Sequence, residues 1–166
     1  MKKYPKIEQF RNVVKRVKEI SDYKGKDSNG NAIFEHSESY PTLEFEGTVK
    51  IHGTNAAIVM YKDRGFVFQS RNNEIQPLND NAGFATAMCN KDLSFLFKQP
   101  FNDYIAIYGE WCGGNVQKGV AINGLEKMFV IFSVNVDGVF VDFNESLQKN
   151  DIGIYNIYQF PTYNVY

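Results

Sequence analysis

Cysteine is scarce in this chain: Cys89 and Cys112 are the only two among 166 residues. They form no Cys-x-x-Cys pair and belong to no Cys/His cluster, so neither a zinc site nor a disulfide framework is suggested. Both thiols are expected to be reduced. Also absent are Gly-x-x-x-x-Gly-Lys-Ser/Thr and Gly-x-Gly-x-x-Gly, so neither a P-loop nor a dinucleotide-binding turn handles phosphate here. No apolar run is long enough to span a bilayer, and Met1-Lys2-Lys3-Tyr4-Pro5-Lys6 does not lead into a signal-peptide core. The expectation is a soluble, cytoplasmic protein with no membrane partner. Strong net charge is missing too: 18 Lys and Arg stand against 19 Asp and Glu, for a net of −1. Overall charge therefore selects no polyanion by itself.

What is present is hydrophobic bulk. Hydrophobic residues make up 43% of the chain and aromatics 15%, enough for one domain with a packed core and against disorder. Charge is unevenly spread. Residues 1–26 hold nine Lys/Arg against three Asp/Glu and residues 27–166 nine against sixteen, so nets of +6 and −7 sum to −1. A basic N-terminal segment can follow a phosphate backbone; a solvated helix face has the same composition.

Ile7, Phe10, Val14 and Val17 recur at helical spacing, predicting a helix over 7–20 with Arg11, Lys15 and Lys18 on a neighbouring stripe. Residues 24–40 are rich in turn formers and read as loop with a short hairpin. Strands are predicted over 43–49, 55–61, 65–70, 104–108, 128–134 and 139–143, the last two joined across Asp137-Gly138. Phe84, Ala87, Met88 and Leu96 suggest a helix within 80–97. The fold class that follows is α+β, mainly antiparallel sheets with flanking helices, as one domain over 1–166 and a monomer.

Four segments can carry chemistry. Lys50-Ile51-His52-Gly53, extended by Thr54-Asn55, follows a strand. An uncharged lysine amine there can attack phosphorus or carbonyl carbon. Neutralising a free lysine at pH 7 costs about 4.6 kcal/mol, from roughly 3.4 pH units at ~1.36 kcal/mol each, so burial or a nearby cation must lower its pKa. Arg71 or a metal could supply that charge. A hairpin turn with a solvated lysine accounts for the same pattern. Tyr108-Gly109-Glu110-Trp111 ends an apolar strand on a carboxylate that can accept from ribose hydroxyls or hold a metal-bound water, or simply face water. Cys112-Gly113-Gly114-Asn115-Val116-Gln117-Lys118-Gly119 is a flexible polar loop. Phe129-Val130-Ile131-Phe132 is a strand whose Phe129 can offer a face to a purine or pack in the core.

The order of these segments resembles the covalent nucleotidyltransferases, and most closely ATP-dependent RNA ligases of the phage RNA ligase 2 type. Lys50-Ile51-His52-Gly53 matches the nucleophile motif, Ser70-Arg71 the arginine motif, Tyr108-Gly109-Glu110-Trp111 the carboxylate motif and Phe129-Val130-Ile131-Phe132 the purine-stacking strand. Gln117-Lys118 falls where those ligases carry a polar residue used in sealing. The resemblance implies an ATP-grasp-like adenylation domain that forms a lysyl–AMP from ATP with Mg²⁺ and joins RNA 5′-phosphate to 3′-hydroxyl ends, nicked duplex RNA among them. It implies Lys50 as nucleophile, with Val49, Glu110 and Phe129 around the nucleotide, Glu110 toward the metal and His52 by the phosphates. Asn55, Arg71 and Gln117 would act on the RNA side. Capping enzymes that use GTP more often carry Asp in place of His52.

The chain departs from the family pattern in one respect. A later Glu-Gly strand and a Lys-x-Lys strand are not found, and Lys149 has no second lysine two places away. The expectation is an adenylation domain incomplete before its last two motifs, much slower at self-adenylylation than a complete ligase and inactive in sealing. The alternative is a nucleotide- or RNA-binding module on the ligase scaffold.

Overall fold

The computed structural model describes residues 1–144 and 146–165. The chain divides into two compact units: one contains Met1–Tyr4 with Thr48–Tyr163, the other Pro5–Gly47.

Within the smaller unit, helix α1 spans Phe10–Asp22. It starts three residues later than the periodicity predicts because Gln9 is extended and supplies no side-chain cap. Strands β1 (Tyr23–Lys26) and β2 (Ala32–Phe34) form the predicted hairpin over the 24–40 region. Asp27 closes it by accepting from the backbone N–H groups of Asn29 and Asn31, each at 2.8 Å. Strand β3 follows at Phe45–Thr48.

The larger unit is built on one sheet. Its strands are β4 (Gly53–Tyr61), β5 (Gly65–Ser70), β6 (Glu74–Ile75), β7 (Tyr104–Cys112), β8 (Met128–Val136), β9 (Val139–Val141) and β10 (Ile154–Asn156). They lie in the order β10-β8-β7-β4-β5-β6, with β9 also on β8. Every pairing is antiparallel except β10 with β8, which is parallel. The fold is thus α+β and mainly antiparallel.

Alternation explains why β4 and β7 sit at the centre. Ala56 and Ile58 of β4 and Ile105 and Ile107 of β7 point to one face, joined by Phe84, Met88, Phe129 and Ile131 in the main core. Ala57, Val59 and Tyr61 point the other way with Tyr104, Ala106 and Tyr108. Both faces are covered, so both strands are apolar nearly throughout.

The helix expected within 80–97 is split into α2 (Phe84–Met88) and a 3-10 turn at Ser94–Phe97. An aspartate organises the start of each piece, its short acidic side chain taking backbone N–H groups there. Asp80 accepts from the backbone N–H groups of Ala85 and Thr86, both at 2.8 Å. Asp92 takes the N–H and hydroxyl of Ser94 at 3.0 and 2.7 Å. No described helix is long and apolar enough to cross a membrane.

Candidate active site

Register decides which side chains meet. Asn55 on β4 lies opposite Glu110 on β7, and Glu110 lies opposite Val130 on β8. Directly opposed residues share a sheet face, so Asn55, Glu110 and Val130 line one side. Thr54, Trp111 and Phe129 are likewise opposed and line the other. Glu110 is not at the strand end, as the sequence suggested; β7 runs two residues further, to Cys112.

The β7–β8 ladder contains a bulge. Tyr108 pairs with Ser133 and Gly109 with Ile131, leaving Phe132 as the extra residue. Phe132 packs against the cluster of Tyr108 and that of Val130 and Cys112, on Glu110's side of the sheet.

Two glycines allow the close approach. A Cβ on Gly53 would collide with the Trp111 carbonyl oxygen and stand 2.7 Å from the Cys112 Cβ. A Cβ on Gly109 would stand 2.5 Å from Cε2 of Phe129 and 2.6 Å from the Val130 carbonyl oxygen. Because Gly53 presses against β7, its N–H donates to Oε1 of Glu110 at 3.0 Å.

Burial pushes the Glu110 carboxyl above its ordinary value; the Gly53 hydrogen bond and the charges of Lys50 and Arg71 pull it back down. Burial destabilises the carboxylate, while the amide and the two cations stabilise it. Register brings the chain segments together: Ser70 at the end of β5 lies opposite Ala56 near the start of β4, and Glu110 lies opposite Asn55. Lys50, in the segment leading into β4, and Arg71, just past β5, are thus carried toward Glu110, although no described ion pair joins them to it.

The other predicted residues are placed as follows. Asn55 is half-buried beside Glu110, and His52 is exposed between Lys50 and Gly53. Val49 is half-buried just ahead of Lys50. Gln117 is exposed in the 113–120 loop, and no described hydrogen bond or ion pair ties it to the Glu110 group.

Phe129 is 0% exposed, with its ring over Gly109 and 5.0 Å from the ring of Phe84. In this arrangement it has no free face for a purine and lies on the side opposite Glu110. Phe132, missed in the sequence reading, is the half-buried aromatic on Glu110's side. Two phenylalanines three apart in a strand give no sign of which one faces a carboxylate on the neighbouring strand.

Lys50 and Arg71 are themselves exposed. Three clefts of about 440, 500 and 390 Å³ occur elsewhere, lined by none of Lys50, Arg71 or Glu110.

Among the described residues no group of three His, Cys, Asp or Glu side chains could hold a metal. Glu110 offers one carboxylate, with Oε1 taken by Gly53 and the second oxygen free of hydrogen bonds from described residues. That donor set does not fit an all-protein metal cage. It fits a magnesium ion held chiefly by phosphates and water with a single carboxylate.

No curated protein matched the chain. A model of the RNA ligase family matches residues 43–157, which include Lys50, Arg71, Glu110, Phe129 and Phe132. The chain therefore belongs to the RNA ligase family.

Proposed function

We propose that this protein is an ATP-dependent RNA ligase that works through a lysyl–AMP intermediate. Membership of the family gives a ligase-type function in general. The observation supporting the finer reading is the Gly53-bound Glu110 carboxylate beside the start of β4, where the strand registers also bring the segments carrying Lys50 and Arg71.

Nζ of Lys50, once deprotonated, attacks the α-phosphorus of ATP. A P–N bond forms, the bond to the bridging oxygen breaks, and pyrophosphate leaves. An RNA 5′-phosphate oxygen then attacks the same phosphorus, breaking the P–N bond and returning the amine. Finally an RNA 3′-hydroxyl attacks the 5′-phosphate and AMP departs. Each step depends on alignment and on neutralising charge that develops on phosphate oxygens.

The side chains divide this work. Arg71 neutralises phosphate. Glu110, steadied by Gly53, accepts hydrogen bonds from ribose hydroxyls. His52 orients the phosphates, and Asn55 faces the RNA end, with Gln117 reaching it from its loop. Val49 borders the nucleotide, and Phe132 takes the stacking position on the Glu110 side. Glu110 is also the residue that would hold magnesium, which supplies Lewis-acid polarisation of the phosphates when bound.

The test is incubation with α-labelled ATP and Mg²⁺, followed by denaturation. Wild type is expected to retain label and Lys50→Ala to retain none. Unlabelled wild type that still binds RNA would instead establish the binding-module alternative.

A further inference from the structure

The segment Met1–Tyr4 lies far in sequence from the ligase motifs, yet it touches each strand that presents them. The backbone N–H of Lys2 donates to Oε1 of Gln69 at 3.3 Å, and the Lys2 carbonyl accepts the hydroxyl of Tyr108 at 3.1 Å. The Tyr4 ring packs against that of Tyr108 at 5.1 Å, tilted by 58°, and against that of Phe132 at 5.2 Å, edge-to-face at 76°.

The placement of these partners matters. Gln69 is two residues before Arg71, and Tyr108 is two residues before Glu110. In a strand, residues two apart point to the same face, so the segment lies on Glu110's side of the sheet. Gln69 and Tyr108 are 1% and 3% exposed. The contacts are therefore half-buried ones anchored on buried side chains. Ordinary surface strands have no need of a tether that reaches β5, β7 and the β8 bulge together.

We propose that Met1–Tyr4 is a positioning strap for the ligase site, and that Tyr4 sets the attitude of the Phe132 ring against which the ATP base stacks. This rests on the function proposed above. Tyr4 is a positioning residue: it acts through Phe132 and Tyr108. A ring at the β8 bulge lacks the regular ladder on both sides, so its orientation depends on what packs on it. Replacing Tyr4 frees Phe132 to rotate, and the cost falls on nucleotide binding.

The experiment compares wild type, Tyr4→Ala, Tyr4→Leu and Tyr4→Phe in the full chain. Covalent label from α-labelled ATP is followed against ATP concentration, with thermal unfolding measured alongside. Tyr4→Phe is expected to match wild type, since the ring makes the contacts. Tyr4→Ala and Tyr4→Leu are expected to raise KM for ATP by about tenfold, the scale of a weakened base–aromatic stack. The rate at saturating ATP should fall far less. Tyr4→Leu, which keeps apolar bulk, should show this with unfolding still well above the assay temperature.

A folded Tyr4→Leu with wild-type KM overturns the strap's role, as does a Tyr4→Phe variant as impaired as Tyr4→Ala. Wild type that takes no label overturns the lysyl–AMP reading itself, and this inference falls with it.

Discussion

Phe129 and Phe132 separate two energetic roles that look alike in sequence. Phe129 is wholly buried among Phe84, Trp111 and Ile131, so truncation leaves a cavity no neighbour can fill. Phe129→Ala is expected to cost about 3–5 kcal/mol of folding stability, read from urea unfolding. Phe132→Ala removes a half-buried ring and should cost clearly less, while raising KM for ATP in the labelling assay. The reverse ranking would overturn Phe132 as the ring on which the base stacks. At this scale the sequence offers candidates by the order of its motifs: Lys50, Arg71 and Glu110 each have an ordinary surface reading alone, and only their succession on consecutive strands singles them out. The choice between two phenylalanines was not legible, because it turns on the register that sets Val130 opposite Glu110, between strands about twenty residues apart.

Elements show the same division between local and non-local causes. The β8–β9 hairpin was readable from Asp137-Gly138, and both residues have positive φ, at 51° and 94°, as a two-residue turn requires. What could not be read is the second task of Asp137. Its carboxylate accepts three backbone N–H groups from the start of β7, those of Asn102, Asp103 and Tyr104, at 2.7, 2.8 and 2.9 Å. The pairing joins residues more than thirty apart, and local sequence carries no trace of it. These bonds hold the carboxyl below its ordinary value of 3.8. A carboxyl depressed on folding adds stability that is complete above the unfolded pKa and disappears as pH falls through the folded one. Asp137→Ala should therefore destabilise the protein at neutral pH, and the difference from wild type should shrink as pH drops below 3.8. Urea midpoints measured across that acid range would reveal it; a gap independent of pH would mean that the turn's backbone geometry, not the carboxylate, is what matters.

Across the whole molecule, stability should follow how each strand is covered. β4 and β7 are hydrogen-bonded on both edges and packed on both faces, so their amides can exchange only when the sheet opens as a unit. By contrast, no residue of α1 is buried, and its ends carry no side-chain cap or matching terminal charge. A helix without buried contacts opens locally at far less than the global cost. Hydrogen exchange should accordingly be slowest at Ile58, Val59, Ala106 and Ile107, with α1 at least about a hundredfold faster. The functional consequence lies in the geometry of β4 and β7. Glu110 and its Gly53 partner sit on these two strands, so the carboxylate is carried by the most protected part of the sheet, whereas Lys50 and Arg71 extend from segments just beyond strand ends. Exchange at the amides of residues 49–52 and 71–73 should be fast without ATP and slow on its addition, while that of β4 and β7 stays unchanged. If ATP instead slowed exchange throughout the central strands, the rigid part of the site would be something other than the β4–β7 pair.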